Sequence, residues 1–340
     1  MGNPPLKGVM IGAGFFARFQ AEAWNRIDGV QIVAVADAVP GRAEAFAAEY
    51  GIPRWYSDAA SMLETEGADF ADIVTRPDSH RELTRLAARH CRAVICQKPM
   101  APAYQECESM VQHCSERGVR LLIHENWRWQ PWYREAHRLI GTGALGRIFH
   151  LGLLMRTGDG RGAQPYQPQP YFREMERLLV YETAVHFLDT FRFLGGEFTS
   201  IYCRTRRINP AIRGEDYAFI HVSFAAGANG IIDANRISGA CPPPIAFGEF
   251  RIEGEAGMLR IAPDGALYCT EYGQPEALHL APIATTGYKG DSVRAVQKHF
   301  VNCLLSGEVA ESEGALYLKT VQAVDACYRS AQTGMVVNLG

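Results

Sequence analysis

Short apolar segments alternate with helical patterns over the first 125 residues of this 340-residue chain. The five apolar segments are LKGVMIG (6–12), VQIVAVAD (30–37), ADIVT (71–75), RAVICQ (92–97) and VRLLIHE (119–125). Apolar runs of this length, separated by helices, are typical of strands in a parallel sheet that is covered on both faces. Because crossovers between parallel strands are right-handed, residues 1–125 are predicted to form a doubly wound α/β Rossmann domain.

Residues 126–340 have a different pattern and are predicted to form a second, α+β domain. Strands are predicted at 147–156, 199–208, 216–224, 228–237, 249–262 and 265–272, and helices at 131–143, 183–194, 292–307 and 313–334. Many of these strands are joined by short turns that contain glycine, which favours an open, mainly antiparallel sheet. Because the apolar face of an open sheet needs a cover, we expect a homodimer or homotetramer formed through this sheet.

The composition excludes several classes of protein. Hydrophobic residues are 47% of the chain and charged residues 21%, which rules out a mainly disordered chain. The net charge of −3 removes the electrostatic reason to expect a nucleic-acid partner, and no apolar run reaches the ~20 residues of a membrane span. The nine cysteines lack zinc-site spacing, so reduced thiols, no metal and, as the default, a cytoplasmic location are expected.

A glycine-rich turn follows the first predicted strand and opens the first predicted helix. Gly12 permits the tight turn, Gly14 lets a diphosphate approach the backbone, and Ala17 is small enough for close packing of helix on strand. The second strand ends in Asp37, whose carboxylate can accept hydrogen bonds from ribose hydroxyls. The three features together predict a dinucleotide site. The alternative is a tight turn followed by a residue that only caps a helix.

The charge of Asp37 favours NAD over NADP, because a 2′-phosphate beside this carboxylate would be repelled. The next residue is Ala38 rather than an arginine that would offset the repulsion. Arg42 is close enough in sequence to keep NADP as an alternative.

Four motifs resemble those of the Gfo/Idh/MocA family, which includes glucose–fructose oxidoreductase and inositol dehydrogenase. They are GAGFFA (12–17), IVTRPDSH (73–80), QKPM (97–100) and YETAVHFLD (181–189), and their order and spacing extend the resemblance over essentially the whole chain. The resemblance implies an NAD(P)-dependent oxidoreductase that transfers a hydride between nicotinamide and a hydroxyl or carbonyl of a sugar, polyol or sugar-derived substrate. Two residues depart from the family pattern: Gln97 stands where a glutamate is usual, and Glu182 where an aspartate is usual.

The resemblance also implies roles for individual residues. The predicted catalytic residues are Lys98, His186 and Glu182, and the predicted substrate-binding residues are Trp127, Arg128, Glu182 and His186. The predicted cofactor neighbours are Gly12, Gly14, Phe15, Phe16, Asp37, Thr75, Pro77, His80, Gln97 and Lys98. Weaker candidates for the substrate site are Arg156, Tyr166, Tyr171, Arg173, Asn235 and Arg236.

Simpler structural roles remain open for these residues. Lys98 can be a solvated surface lysine, His186 a half-buried histidine held by its neighbour, and His80 a capping or packing residue. Trp127 can equally be part of a hydrophobic plug between the two predicted domains. Glu182 and His186 are four residues apart near a helix start, which predicts a shared face and a proton relay. Whether Lys98 or His186 takes the proton stays open.

Two other functions are compatible with the same motifs. One is a glycosidase-like enzyme that holds NAD tightly and oxidises its substrate only transiently. The other is a non-catalytic regulator that binds a dinucleotide.

Overall fold

The computed structural model describes residues 4–283 and 286–340, which divide into two compact units. The first unit consists of residues up to Asn126 together with Asp291–Val321, and the second of Trp127–Gly290 together with Gln322–Gly340. This division differs from a single boundary at residue 125, because the segment 291–321 returns to the first unit. Its Phe300, Val301 and Leu304 belong to the same buried apolar cluster as residues of the N-terminal strands.

The first unit is built on a six-stranded parallel sheet. Its strands are β1 (Leu6–Ile11), β2 (Val30–Ala36), β3 (Arg54–Tyr56), β4 (Phe70–Ile73), β5 (Ala93–Gln97) and β6 (Arg120–His124). Its helices are α1 (Ala17–Trp24), α2 (Arg42–Tyr50), α3 (Ala59–Glu66), α4 (Pro77–Ala87) and α5 (Tyr104–Glu116). The strand order β3-β2-β1-β4-β5-β6 is that of a doubly wound sheet, so the predicted Rossmann fold is confirmed.

The second unit is built on a larger mixed sheet. It contains α6 (Pro131–Gly141), β7 (Ile148–Thr157), α7 (Val185–Gly195), β8 (Phe198–Arg206), β9 (Tyr217–Phe224), β10 (Asn229–Ala240), β11 (Gly248–Gly254), β12 (Gly257–Ile261), β13 (Leu267–Glu271) and β14 (Ala277–Leu280). The chain closes with α8 (Ser292–Ser306), α9 (Gly314–Thr333) and β15 (Val337–Asn338). The sheet order is β14-β13-β12-β11-β7-β10-β9-β8-β15, and β7 and β10 are parallel while the other neighbours are antiparallel.

One predicted strand, 249–262, is two strands in the structure. Strands β11 and β12 form a hairpin in which Glu253 lies opposite Met258. The glycines that flank the turn allow close backbone contacts: a Cβ at Gly254 would lie 2.2 Å from the carbonyl oxygen of Leu145. In the described parts of the chain no helix is long and apolar enough to cross a membrane.

Candidate active site

The carboxyl ends of β1, β4 and β5 meet at one edge of the parallel sheet. Gly12 follows β1, Thr75 lies just beyond β4, and Lys98 follows β5. The strand order reverses between β1 and β4, which is the position where ligands bind in open α/β sheets.

Gly12 makes the turn from β1 toward α1 in a conformation that favours glycine. Its φ is +103°, and a Cβ there would lie 2.5 Å from the carbonyl oxygen of Val74. Around Gly14, by contrast, no atom of the described residues comes within 4 Å of where a Cβ would be. The backbone therefore has open space at the second glycine, as the approach of a diphosphate requires.

Asp37 is fixed at the end of β2 by backbone amides. Its Oδ2 accepts a hydrogen bond from the amide of Ala13 (2.8 Å) and its Oδ1 one from the amide of Val39 (2.8 Å), while Arg42 lies 3.6 Å away. Each carboxylate oxygen has a second lone pair, so the group can still accept from ribose hydroxyls. The glycine turn and this carboxylate together fit an adenine dinucleotide.

We expect Gly12→Ala to weaken NAD binding by about tenfold or more. Alanine would have to adopt the positive φ of this turn, and its Cβ would clash with the Val74 carbonyl. Fluorescence titration with NADH measures the change. Gly29→Ala is the matched control: its φ is +77°, but among the described atoms none would contact the new Cβ. NAD binding by Gly12→Ala equal to that of Gly29→Ala would exclude the turn as the diphosphate site.

Lys98 is half-buried at the end of β5, and its peptide bond to Pro99 is cis. Its backbone N–H donates to Oε1 of Gln97 (2.7 Å), and Gln97 is itself buried. A buried side chain therefore holds the backbone of Lys98 in place. The prediction that its ammonium contacts the reacting hydroxyl stays a prediction.

His80 connects the ends of β4 and β5. Its ring is fully buried, with Nδ1 3.1 Å from the carbonyl oxygen of Pro99 and Nε2 3.2 Å from that of Thr75. Burial lowers the pKa of His80, which favours the neutral ring. These contacts give His80 a structural role beside Lys98, and its predicted contact with the cofactor is untested.

The remaining predicted cofactor neighbours lie in the same unit. Thr75 shares a 2.7 Å hydrogen bond with Ser79, and Pro77 is the first residue of α4. Phe15 is 36% exposed and lies beneath the guanidinium of Arg18 (4.3 Å from the ring centroid).

In the second unit, Trp127 and His186 form a stacked pair. Their ring centroids are 4.9 Å apart with an interplanar angle of 24°. Trp127 belongs to a single 3-10 turn (Trp127–Trp129), and His186 lies in the first turn of α7. Helix α7 is anchored by Phe191, whose ring packs edge-on against Phe250 of the sheet (5.1 Å). The stack therefore fixes the orientation of the His186 ring on a rigid support.

Glu182 precedes α7 in a π-helical turn, Leu179–Ala184, where a regular α-helix was predicted from residue 183. Its Oε2 accepts a hydrogen bond from the hydroxyl of Thr183 (2.7 Å) and lies 3.7 Å from the guanidinium of Arg236. Because the spacing from Glu182 to His186 crosses from π-helix to α-helix, the shared-face argument for a regular helix does not apply here. Their proton relay therefore stays a prediction.

Arg128 was predicted to bind substrate through its guanidinium fork. The structure instead gives the fork a buried partner: Nε and Nη2 donate to the two carboxylate oxygens of Asp189 at 2.7 and 2.6 Å. This bidentate ion pair ties the 3-10 turn of Trp127 to α7. The arrangement supports a structural role, and the substrate contact of Arg128 is untested.

Two cations of the second unit were predicted weakly or not at all from the sequence. Arg236, a weaker candidate above, forms an ion pair with Asp159 and lies over the ring of Tyr166 (4.5 Å). Lys289 was missed altogether. Its ammonium is 4.0 Å from the ring centroid of Phe247 and 5.7 Å from that of Trp127, and burial lowers its pKa to about 8. No motif surrounds Lys289, so only the fold reveals that it lies beside the stacked pair.

Two family models match this chain. The model described as "Oxidoreductase family, NAD-binding Rossmann fold" matches residues 6–125, and the "GFO/IDH/MocA C-terminal domain" matches residues 133–260. Among named proteins, D-apiose dehydrogenase of Paraburkholderia graminis is 36% identical over 98% of this chain and 90% of its own length.

The chain belongs to the GFO/IDH/MocA oxidoreductase family.

Further relatives agree with this membership. D-apiose dehydrogenase of Rhizobium rhizogenes is 34% identical over 100% of this chain and 99% of its own length. The crystal structure of an Agrobacterium radiobacter oxidoreductase in complex with NAD+, L-tartaric acid and magnesium has a TM-score of 0.92, with 34% identity over 98% of each chain. The predicted family, NAD cofactor and oxidoreductase class are thereby confirmed.

Proposed function

We propose that this family member is an NAD-dependent dehydrogenase of a neutral aldose of the D-apiose kind. The observation that carries the proposal is the similarity to two D-apiose dehydrogenases over nearly the full length of all three chains. Both domains are matched, so the similarity includes the C-terminal unit as well as the cofactor domain.

The ion pairs of three arginines in the second unit support a neutral substrate over a sugar acid. Arg128 is paired with Asp189, Arg156 with Asp233, and Arg236 with Asp159. Because each of these cations is already compensated by a carboxylate, a second carboxylate on the substrate would gain little from them. Hydroxyl groups, which both donate and accept, suit such paired groups better.

Oxidation of a CH–OH group requires that the hydroxyl lose its proton as the carbon loses a hydride. Bound NAD supplies the hydride acceptor. We assign the proton transfer to Lys98 or to His186, with Glu182 holding the substrate or orienting the imidazole. Trp127 supports this assignment because it stacks on His186 and limits the orientations of the ring.

The test is NADH formation by the purified protein with D-apiose, scyllo-inositol, levoglucosan and a sugar acid. We expect kcat/KM for D-apiose to exceed that of the other substrates by about tenfold or more. A preference for the sugar acid would contradict the charge argument. Absence of turnover with every sugar, together with NAD that copurifies and does not exchange, would favour the glycosidase-like alternative. NAD binding without any chemistry would favour the regulator.

The proposal includes a homo-oligomer formed through the sheet of the second unit, and a cytoplasmic location. Strand β9 alternates between buried residues and outward, half-exposed ones such as Tyr217, Phe219 and His221. Large side chains on this outward face suit contact with a second copy. Light scattering would contradict the oligomer if the protein is a monomer at micromolar concentration.

A further inference from the structure

A row of buried polar side chains runs from the middle of the parallel sheet to Lys98. At its origin is Asp72, a carboxylate with no exposed surface in the centre of β4. Gln20 of α1 donates from Nε2 to both oxygens of Asp72 (2.8 and 2.9 Å). Gln97 donates from Nε2 to Oε1 of Gln20 (3.1 Å), and the backbone N–H of Lys98 donates to Oε1 of Gln97 (2.7 Å).

The carboxylate determines the direction of every hydrogen bond in this row. An ionised carboxylate only accepts, so the Gln20 amide must turn its NH₂ toward Asp72 and its oxygen toward Gln97. Gln97 must then turn its NH₂ toward Gln20, which leaves its oxygen for the N–H of Lys98. Reversing one amide would place two donors or two acceptors against each other inside the protein.

Packing alone does not explain a carboxylate at this position. Its neighbours along β4 are Ala71 and Ile73, both fully buried, and a buried carboxylate is expensive unless its hydrogen bonds are made. The indole N–H of Trp24 supplies a further hydrogen bond to Asp72 (2.8 Å). Burying this charge costs free energy, and the hydrogen bonds that the carboxylate directs define the position of the backbone at residue 98.

We propose that Asp72 is a positioning residue for Lys98, acting through the amides of Gln20 and Gln97. The inference rests on the proposed catalytic role of Lys98.

A charge relocation within the row tests the proposal. In Asp72→Asn one of the two oxygens to which Nε2 of Gln20 donates becomes an NH₂ group, and in Gln97→Glu the new carboxylate faces the oxygen of Gln20. The double variant restores a complete row with Gln20 reversed. The carboxamide at position 72 then donates to the oxygen of Gln20, whose NH₂ donates to the carboxylate at position 97, and that carboxylate accepts from the N–H of Lys98.

We expect each single variant to lower kcat by about tenfold or more and the double variant to recover to within about threefold of wild type.

The assay is run with D-apiose near pH 8.5, above the pKa of about 7 to which burial raises Asp72, and NAD affinity is measured in parallel. We expect the Kd for NAD to stay within about threefold of wild type in all three variants. A double variant as slow as the slower single variant would overturn the proposal, and so would an unchanged kcat in Asp72→Asn.

A second variant covers a failure of Asp72→Asn to fold. Gln97→Met breaks the row next to Lys98 and leaves the bonds from Gln20 and Trp24 to Asp72 in place, and we expect the same loss of kcat. Wild-type kcat in Gln97→Met, with Lys98→Met inactive, would overturn the positioning role alone. Full activity of Lys98→Met would instead remove the proposed function of Lys98.

Discussion

Lys98→Met should lower kcat by about a hundredfold or more while the Kd for NAD changes little. The substitution keeps most of the length of the side chain and removes the ammonium, the group proposed to contact the reacting hydroxyl. The backbone of residue 98 is held by Gln97, a contact that the substitution leaves in place. The loss should therefore fall on chemistry rather than on cofactor binding. Steady-state kinetics with D-apiose and titration with NADH measure the two quantities.

Lys298→Met is the matched control, because Lys298 is an exposed lysine of α8 outside the proposed site. It should keep wild-type kcat and NAD affinity. Wild-type turnover by Lys98→Met would remove Lys98 from the mechanism. A parallel loss of NAD binding would make it a cofactor ligand rather than a proton-transfer group.

The second prediction is that Asp72 makes the free energy of unfolding depend on pH. Burial raises the pKa of its carboxyl from 3.8 to about 7. Between these values the folded protein holds a proton that the unfolded chain releases, so the free energy of unfolding falls as pH rises from about 4 to about 7 and this contribution is constant above that. Asp72→Asn has no such proton. The free energy of unfolding of the wild type, relative to that of the variant, should therefore fall by about 4 kcal/mol across this pH range.

Urea unfolding of both proteins at about pH 4, 5.5 and 7.5 measures the difference. Other titrating groups are common to the two proteins and cancel in the comparison. Asp28→Asn removes one carboxylate at an exposed position and is the control for the loss of a charge. If the difference in the free energy of unfolding between wild type and Asp72→Asn stays constant with pH, the pKa of Asp72 is not raised in the folded state.

The parallel strands that position the cofactor site could be predicted because each is a short apolar run between helices. The end of β1 at the glycine turn and the end of β5 beside Lys98 are both close to their predicted positions. Strand β3, only Arg54–Tyr56, was missed because three residues are too few to show a period. Helix α3 was missed too, although Asp58 caps it by accepting from the amide of Ser61 (2.8 Å).

The contacts of the site were harder to predict than its strands. Arg128 was expected to meet substrate, but its partner Asp189 lies 61 residues away in sequence, and nothing local signals that pairing. Asp72 was included in an apolar run, and its partner Gln20 is 52 residues away. Sequence patterns relate residues that are within one or two helical turns of each other along the chain. The residues of these two pairs come together only when the chain is folded.

The return of residues 291–321 to the first unit affects how this protein can be dissected. Phe300, Val301 and Leu304 fill the same apolar cluster as Met10 and Trp24. A recombinant fragment that stops at residue 125 would lack these side chains, expose the cluster to solvent and tend to aggregate. Residues 127–290 interrupt the first unit, and Gln322–Gly340 complete the second. A chimera designed to change substrate preference should therefore exchange both of these segments and keep the residues up to 126 and 291–321 of the host.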